Sequence, residues 1–142
     1  MPLPMEELPA RIAATPALRR WGRRLDADVL LEVGAESWLL TVRDGQVLGL
    51  RPGPFVLPSF TLALRLDPAG FARFLAPEPP LGWHDLMALR RHGALRLEGD
   101  LVPFFAHLFW FKGALALLRP SDDRRALAPE GLNRPANPEA RP

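Results

Sequence analysis

Eighteen consecutive residues, Leu101 to Leu118, contain only two ionisable side chains, His107 and Lys112. Phe104, Phe105, Leu108, Phe109, Trp110, Phe111, Leu115, Leu117 and Leu118 leave no continuous polar stripe at 3.6 residues per turn, so the run predicts one helix that is apolar nearly all the way round. Such a helix must be covered by the rest of the chain, by a ligand or by a partner. Asp100 is placed to cap it, and Pro103 falls in its first turn, where a missing N–H costs little. The run reaches the lower edge of membrane-spanning length, but Pro103, His107, Lys112 and Gly113 interrupt it and no second span exists, which favours a buried helix.

What precedes it is a succession of turns and changing periods. Residues 9–25 predict a helical segment in two pieces, restarted at Pro16 with Thr15 as cap, and Arg19, Arg20, Arg23 and Arg24 lie mainly off the Leu18, Trp21, Leu25 face. From Asp28 the period becomes two. Val29, Leu31 and Val33, then Trp38, Leu40 and Val42, mark two strands, and Asp44-Gly45 supplies a hairpin dipeptide leading to a third strand over Gln46 to Leu50. Arg51-Pro52-Gly53-Pro54 should end that strand. Phe60, Leu62, Leu64 and Leu66 alternate with polar or small residues as a fourth strand. Asp67-Pro68 opens a short helix through Ala76 with Phe71, Phe74 and Leu75 on one face, and a further helix is expected from Trp83 to Arg91 with Trp83, Leu86 and Met87 together. Ala94 to Glu98 is the fifth strand. These elements make one α+β domain over residues 1–119, with a five-stranded, mainly antiparallel sheet covered on one face by helices. Residues 120–142, rich in proline and poor in large apolar groups, are expected to be a disordered tail.

Charge excludes one class of partner. Residues 1–25 carry five Arg against two Glu (+3), residues 26–118 eight basic against ten acidic (−2), and residues 119–142 five against four (+1), summing to +2. The folded part is slightly acidic, and a pI near 10.3 mostly reflects arginine's high pKa. No nucleic-acid partner is expected. The absence of cysteine removes disulfides and thiolate sites, and the first residues lack a secretory pattern, so a cytoplasmic protein is expected.

Catalytic and metal chemistry find little to work with. His84 adjoins Asp85 but adjacent helical residues do not face each other, His92 sits at a helix end, and His107 lies in the apolar run. No metal-ligand spacing, phosphate loop or nucleophile elbow occurs, so no metal, no cofactor and no catalytic residue is expected. An enzyme using His84 or His107 ranks last.

The Trp-bearing strand Ser37-Trp38-Leu39-Leu40-Thr41-Val42, the Asp44-Gly45 hairpin, the alternating Thr61-Leu62-Ala63-Leu64, and Leu95-Arg96-Leu97-Glu98-Gly99-Asp100 followed by an apolar helix together resemble the sterol carrier protein (sterol-carrier-type lipid-transfer) domain family. The resemblance covers roughly residues 29–118. It implies an apolar tunnel between sheet and helices that takes sterols, fatty acids or acyl chains, with no metal or catalytic residue. Carried onto this chain, the lining candidates are Phe71, Phe74, Leu75, Trp83, Leu86, Met87, Phe104, Phe105, His107, Leu108 and Phe111, and His107 or Arg65 would meet an anionic headgroup. The expected function is non-enzymatic intracellular binding or transfer of an apolar small molecule. Two other contacts are open: a ligand-free homodimer through the Phe104 to Leu118 helix, and a transient contact of the arginine-bearing N-terminal helix with a membrane surface.

Overall fold

The computed structural model describes residues 3–120; apart from Pro120, the tail expected over residues 120–142 lies outside them. Strands β1 (Ala27–Val33), β2 (Glu36–Arg43), β3 (Gln46–Pro52), β4 (Leu62–Leu66) and β5 (Leu95–Gly99) form one sheet in the order β3-β2-β1-β4-β5. All neighbours are antiparallel except β1 and β4, which run parallel. Asp44 (φ 50°) and Gly45 (φ 74°) both adopt the positive φ that a tight two-residue hairpin needs. Strand β3 continues past the expected stop, pairing Arg51 with Leu39 and Pro52 with Trp38. It is an edge strand, where a proline removes no ladder bond on its open side. Strand β4 starts only at Leu62, leaving Phe60 in the connection.

The register sorts side chains between two faces. Val29, Leu31, Leu40, Val42, Leu62, Leu64 and Leu66 share one buried face. On the opposite face Leu30 and Ala63 are also buried, and at the end of β3 the Arg51 guanidinium lies 5.4 Å from the Phe55 ring centre. Arg65 crosses this face to bond Glu32 at 2.9 Å and Glu98 at 2.5 Å. The Arg65 hydrogen bond, and then its charge, hold the Glu98 carboxyl below the usual carboxylate range, while that bond is the main cause raising Arg65. A lowered folded-state pKa stabilises the fold above the unfolded-state value and loses that contribution as pH falls through the folded value. Glu98→Gln is therefore expected to flatten the acid limb of a stability-versus-pH curve while changing little at neutral pH, the effect being small for so exposed a pair. Urea titrations from neutral to acid pH check this, and coincident acid limbs would remove the assignment.

Helices α1 (Leu8–Ala13), α2 (Pro16–Trp21), α3 (Pro68–Phe74), α4 (Leu86–Arg91), α5 (Val102–Ala106) and α6 (Leu108–Ala116) supply the helical layer, preceded by a 3-10 turn at Met5–Glu7. The single helix expected from Leu101 to Leu118 is two, because His107 leaves helical geometry (φ −126°, ψ 39°). Its Nδ1 lies 3.1 Å from the Pro103 carbonyl oxygen and its Nε2 3.2 Å from that of Arg23, so the ring fastens the break to the turn after α2. Helix α4 begins at Leu86 instead of Trp83: Gly82 (φ 88°) holds the preceding chain out of helical geometry, and Asp85 caps the first turn by accepting from the Ala88 N–H at 2.8 Å. Thr15 does not cap α2 with its side chain; its hydroxyl donates back to the Arg11 carbonyl at 2.7 Å. No helix among the described residues is long and apolar enough to cross a membrane.

Two contacts lock the layers. Arg11, buried on α1, donates to the Leu117 carbonyl at 2.6 Å beyond the end of α6 and pairs with Glu7. At the opposite end, the Trp110 Nε1–H donates to the Gly45 carbonyl at 3.0 Å, and Gly22 lies so close that a Cβ there would sit 2.8 Å from the Gly45 Cα.

Candidate functional site

The space directly between sheet and helices is nearly full. Leu8, Ile12, Val29, Leu31, Trp110 and Phe111 are among the side chains around a void of about 20 Å³, room for roughly one water and no more. The rings of Trp110 and Phe111, 5.0 Å apart and edge-on, occupy the place where an open tunnel was expected.

A much larger cavity, about 580 Å³, lies at the Val33 end of the sheet. Its walls are the β1–β2 turn from Val33 through Gly34 and Ala35 to Glu36, one flank of α3 with Pro68, Phe71, Ala72 and Leu75, the following Ala76 and Pro77, and the chain at Leu3, Leu118 and Pro120. Local chemistry fixes each wall. Gly34 turns the hairpin at φ 61° and sits against Pro68, where an added Cβ would approach the proline Cγ to 2.7 Å. Asp67 starts α3 by accepting from the Gly70 N–H at 2.9 Å, with Pro68 at the first helical position. Phe71 stacks on Phe74 with ring centres 6.0 Å apart, which sets the inner wall. Arg119 donates to the Phe74 carbonyl at 2.9 Å and the Ala76 carbonyl at 3.2 Å, closing the C-terminal end of α3 and holding Leu118 and Pro120 beside it. Among the described lining residues Glu36 alone is ionisable.

The eleven lining candidates from the sequence fall in three places. Phe71 and Leu75 line the cavity. Phe74, Leu86 and Phe104 are core, and Phe111 borders the small void. Trp83, Met87, Phe105, His107 and Leu108 are half-buried or exposed elsewhere. Trp83 is sandwiched between the Arg73 guanidinium, 4.8 Å from its ring, and His92, stacked at 4.2 Å. Neither candidate for an anionic headgroup reaches the cavity: Arg65 is held by two carboxylates on the far face of the sheet, and His107 is engaged at the α5–α6 break. His84 is exposed ahead of α4. Among the described residues no group of three or more His, Asp or Glu gathers that could hold a metal ion.

Sequence reasoning passed over most of the actual walls. It sought large side chains, whereas Gly34, Ala35, Ala72 and Ala76 make space by being small. The available signal was the alanine pair at positions 72 and 76, four residues apart and next to Phe71 and Leu75.

No protein-family model matches the sequence, and no curated protein matches it. Solved structures do. The chain superposes on sterol carrier protein 2 with a TM-score of 0.65 at 13% identity, over 80% of this chain and 92% of that one. A conserved hypothetical protein of Thermus thermophilus, solved in solution, matches with a TM-score of 0.60 at 12% identity, over 80% and 85%. The UbiJ-SCP2 ubiquinone synthesis protein matches with a TM-score of 0.50 at 17% identity, over 80% and 90%. The resemblance drawn from short motifs is thus a likeness of the whole fold, a five-stranded mixed sheet with helices.

Proposed function

We propose that the cavity beside α3 binds an apolar small molecule, of lipid, fatty acyl or sterol-like kind, and carries it without chemical change. The observation behind this reading is a cavity of about 580 Å³ with a mainly apolar lining, in a chain that shares its fold with sterol carrier protein 2. Ligand pockets commonly measure about 300–1,000 Å³. No nucleophile–base pair is among the described lining residues, which supports binding over catalysis. A cytoplasmic setting belongs to the same reading and suits a chain without cysteine.

Glu36 refines the ligand. A carboxylate at the wall repels a second carboxylate, so a neutral or hydroxyl-bearing end fits better than a free fatty acid. The homodimeric alternative has less to bury than the sequence suggests, because Phe104, Trp110 and Phe111 are at most 2% exposed within the single chain and, of the large apolar groups in that run, only Val102, Phe105 and Phe109 stand well out.

The test fills the cavity. Ala72 lies on an exposed flank of α3, so Ala72→Trp is expected to keep stability within about 0.5 kcal/mol. It should also lower affinity for a bound lipid at least about tenfold, the loss of roughly 1.4 kcal/mol. Native mass spectrometry of the gently purified protein, followed by titration with a fatty acid, the alcohol of equal length and a sterol, reads both. The alcohol should outcompete the acid. Protein that carries no lipid and binds none of the three overturns the proposal.

A further inference from the structure

We propose that the molecule bound beside α3 is an amphiphile with a cationic end, an amine or quaternary ammonium on an apolar chain, and that Glu36 and Trp38 hold that end. The proposal rests on the cavity's being a binding site for an apolar molecule, and it names the polar group such a molecule carries. A second hollow, of about 300 Å³, adjoins the cavity: Ser37, Trp38, Pro52 and Pro54 are among its walls, and it shares Ala35 and Glu36 with the cavity. The strand register brings the two together. Glu36 lies opposite Val33 and Trp38 opposite Leu31 across β1, so both side chains leave β2 on the helix-covered face that also carries Leu40. On its other side Trp38 pairs with Pro52 of β3. Residues two apart on one strand stand about 7 Å from each other, close enough for one ammonium to touch the carboxylate and lie against the ring.

The chemistry of the two side chains selects the charge of the ligand. Glu36 is exposed and is the one ionisable residue among the described walls of both hollows. Among the described residues its carboxylate has no ion pair and no hydrogen bond. The other charges at this end are engaged elsewhere: Glu32 pairs with Arg65 on the far face, Arg51 stands opposite Leu39 with its guanidinium near Phe55, and Arg119 donates to the Phe74 and Ala76 carbonyls. Trp38 is likewise open. Of the four tryptophans, Trp110 gives its N–H to Gly45, Trp83 lies between Arg73 and His92, and Trp21 meets Phe109. The half-buried Trp38 has neither a ring nor a cation against its face, and no acceptor for its N–H, among the described residues. An aromatic face beside a carboxylate attracts an organic cation twice over, through the ring quadrupole and through the negative charge. An anionic end is repelled by Glu36, and a neutral end gains little from either group. A metal ion is not served by a single carboxylate, and among the described residues no group of three or more His, Asp or Glu gathers that could hold one.

Isothermal titration calorimetry of the full-length chain tests it, with dodecyltrimethylammonium, dodecylammonium and 1-dodecanol, each kept below its micellar or solubility limit. Both ammonium compounds should bind about tenfold more tightly than the alcohol, and added salt should narrow that gap. Glu36→Gln should shrink the ammonium-over-alcohol ratio at least about fivefold, and Trp38→Leu should shrink it more for the trimethylammonium than for the primary amine. Glu36 is exposed, so the glutamine variant keeps the fold, which an unchanged circular dichroism melt verifies. Trp38→Phe, which keeps a smaller ring, should fall between the parent and Trp38→Leu, and it serves where leucine loosens the sheet edge. Ammonium compounds that bind no more tightly than the alcohol, or a preference that survives Glu36→Gln, overturn the assignment of the cationic end and leave the apolar cavity in place. If neither the alcohol nor the ammonium compounds bind, the cavity reading falls and this one falls with it.

Discussion

Trp110→Ala should cost about 3–5 kcal/mol, the range for emptying a buried large aromatic site. Trp110 is 2% exposed, packs edge-on against Phe111, and donates its indole N–H to the Gly45 carbonyl. Alanine would leave a large hole where sheet and helices meet, and would strip the Gly45 carbonyl of its donor. Domains of this size are commonly stable by only about 5–15 kcal/mol, so the variant should sit near the edge of folding at ordinary temperature. Trp110→Phe separates the two losses, since it keeps most of the volume and forfeits the hydrogen bond, and about 1 kcal/mol is expected for that part. Urea unfolding of the three proteins measures both. A Trp110→Ala variant as stable as the parent would mean that the ring does not fill the layer between sheet and helices.

Gly45→Ala should be similarly damaging for a different reason. Gly45 adopts φ 74°, and its missing Cβ would lie 2.7–2.9 Å from the backbone O, Cα and C of Gly22. Backbone cannot swing aside as a side-chain end can, so either the hairpin or the end of α2 must move. Gly93 is the natural control: its φ is 77°, and nothing lies within 4 Å of an added Cβ. Gly93→Ala thus reports the left-handed conformational penalty alone, about 1–2 kcal/mol. The excess in Gly45→Ala, expected at about 2 kcal/mol or more, reports overpacking against Gly22. Equal losses at the two glycines would show that the close approach is relieved at no cost.

These three sites also mark how far local sequence reasoning extends. Asp44-Gly45, Asp67-Pro68 and the period-two runs act through neighbours a few positions away, and the hairpin, the α3 cap and the strands appear where those signals lie. At the break the His107 ring meets a carbonyl 84 positions distant, and the parallel pairing joins β1 to β4 past the whole of β2 and β3. No window of local periodicity holds either fact. The apolar run from Leu101 to Leu118 was legible, but neither its division into two helices nor its covering was: one chain buries most of it and leaves Val102, Phe105 and Phe109 outside. The cavity was the least legible part, because a list of large apolar residues describes what fills space, and a hollow is outlined by glycine and alanine.

The position of Arg119 carries a last implication. Its bonds to the carbonyls of Phe74 and Ala76 hold Leu118 and Pro120 at the cavity wall, whose lining also includes Leu3. Both ends of the described chain are therefore part of the same lip. A molecule that binds more tightly when those ends are held in place must, by reciprocity, hold them in place when it binds. If the cavity binds a molecule as proposed, a fluorescent label placed at Leu3 or Pro120 is expected to respond to its occupancy.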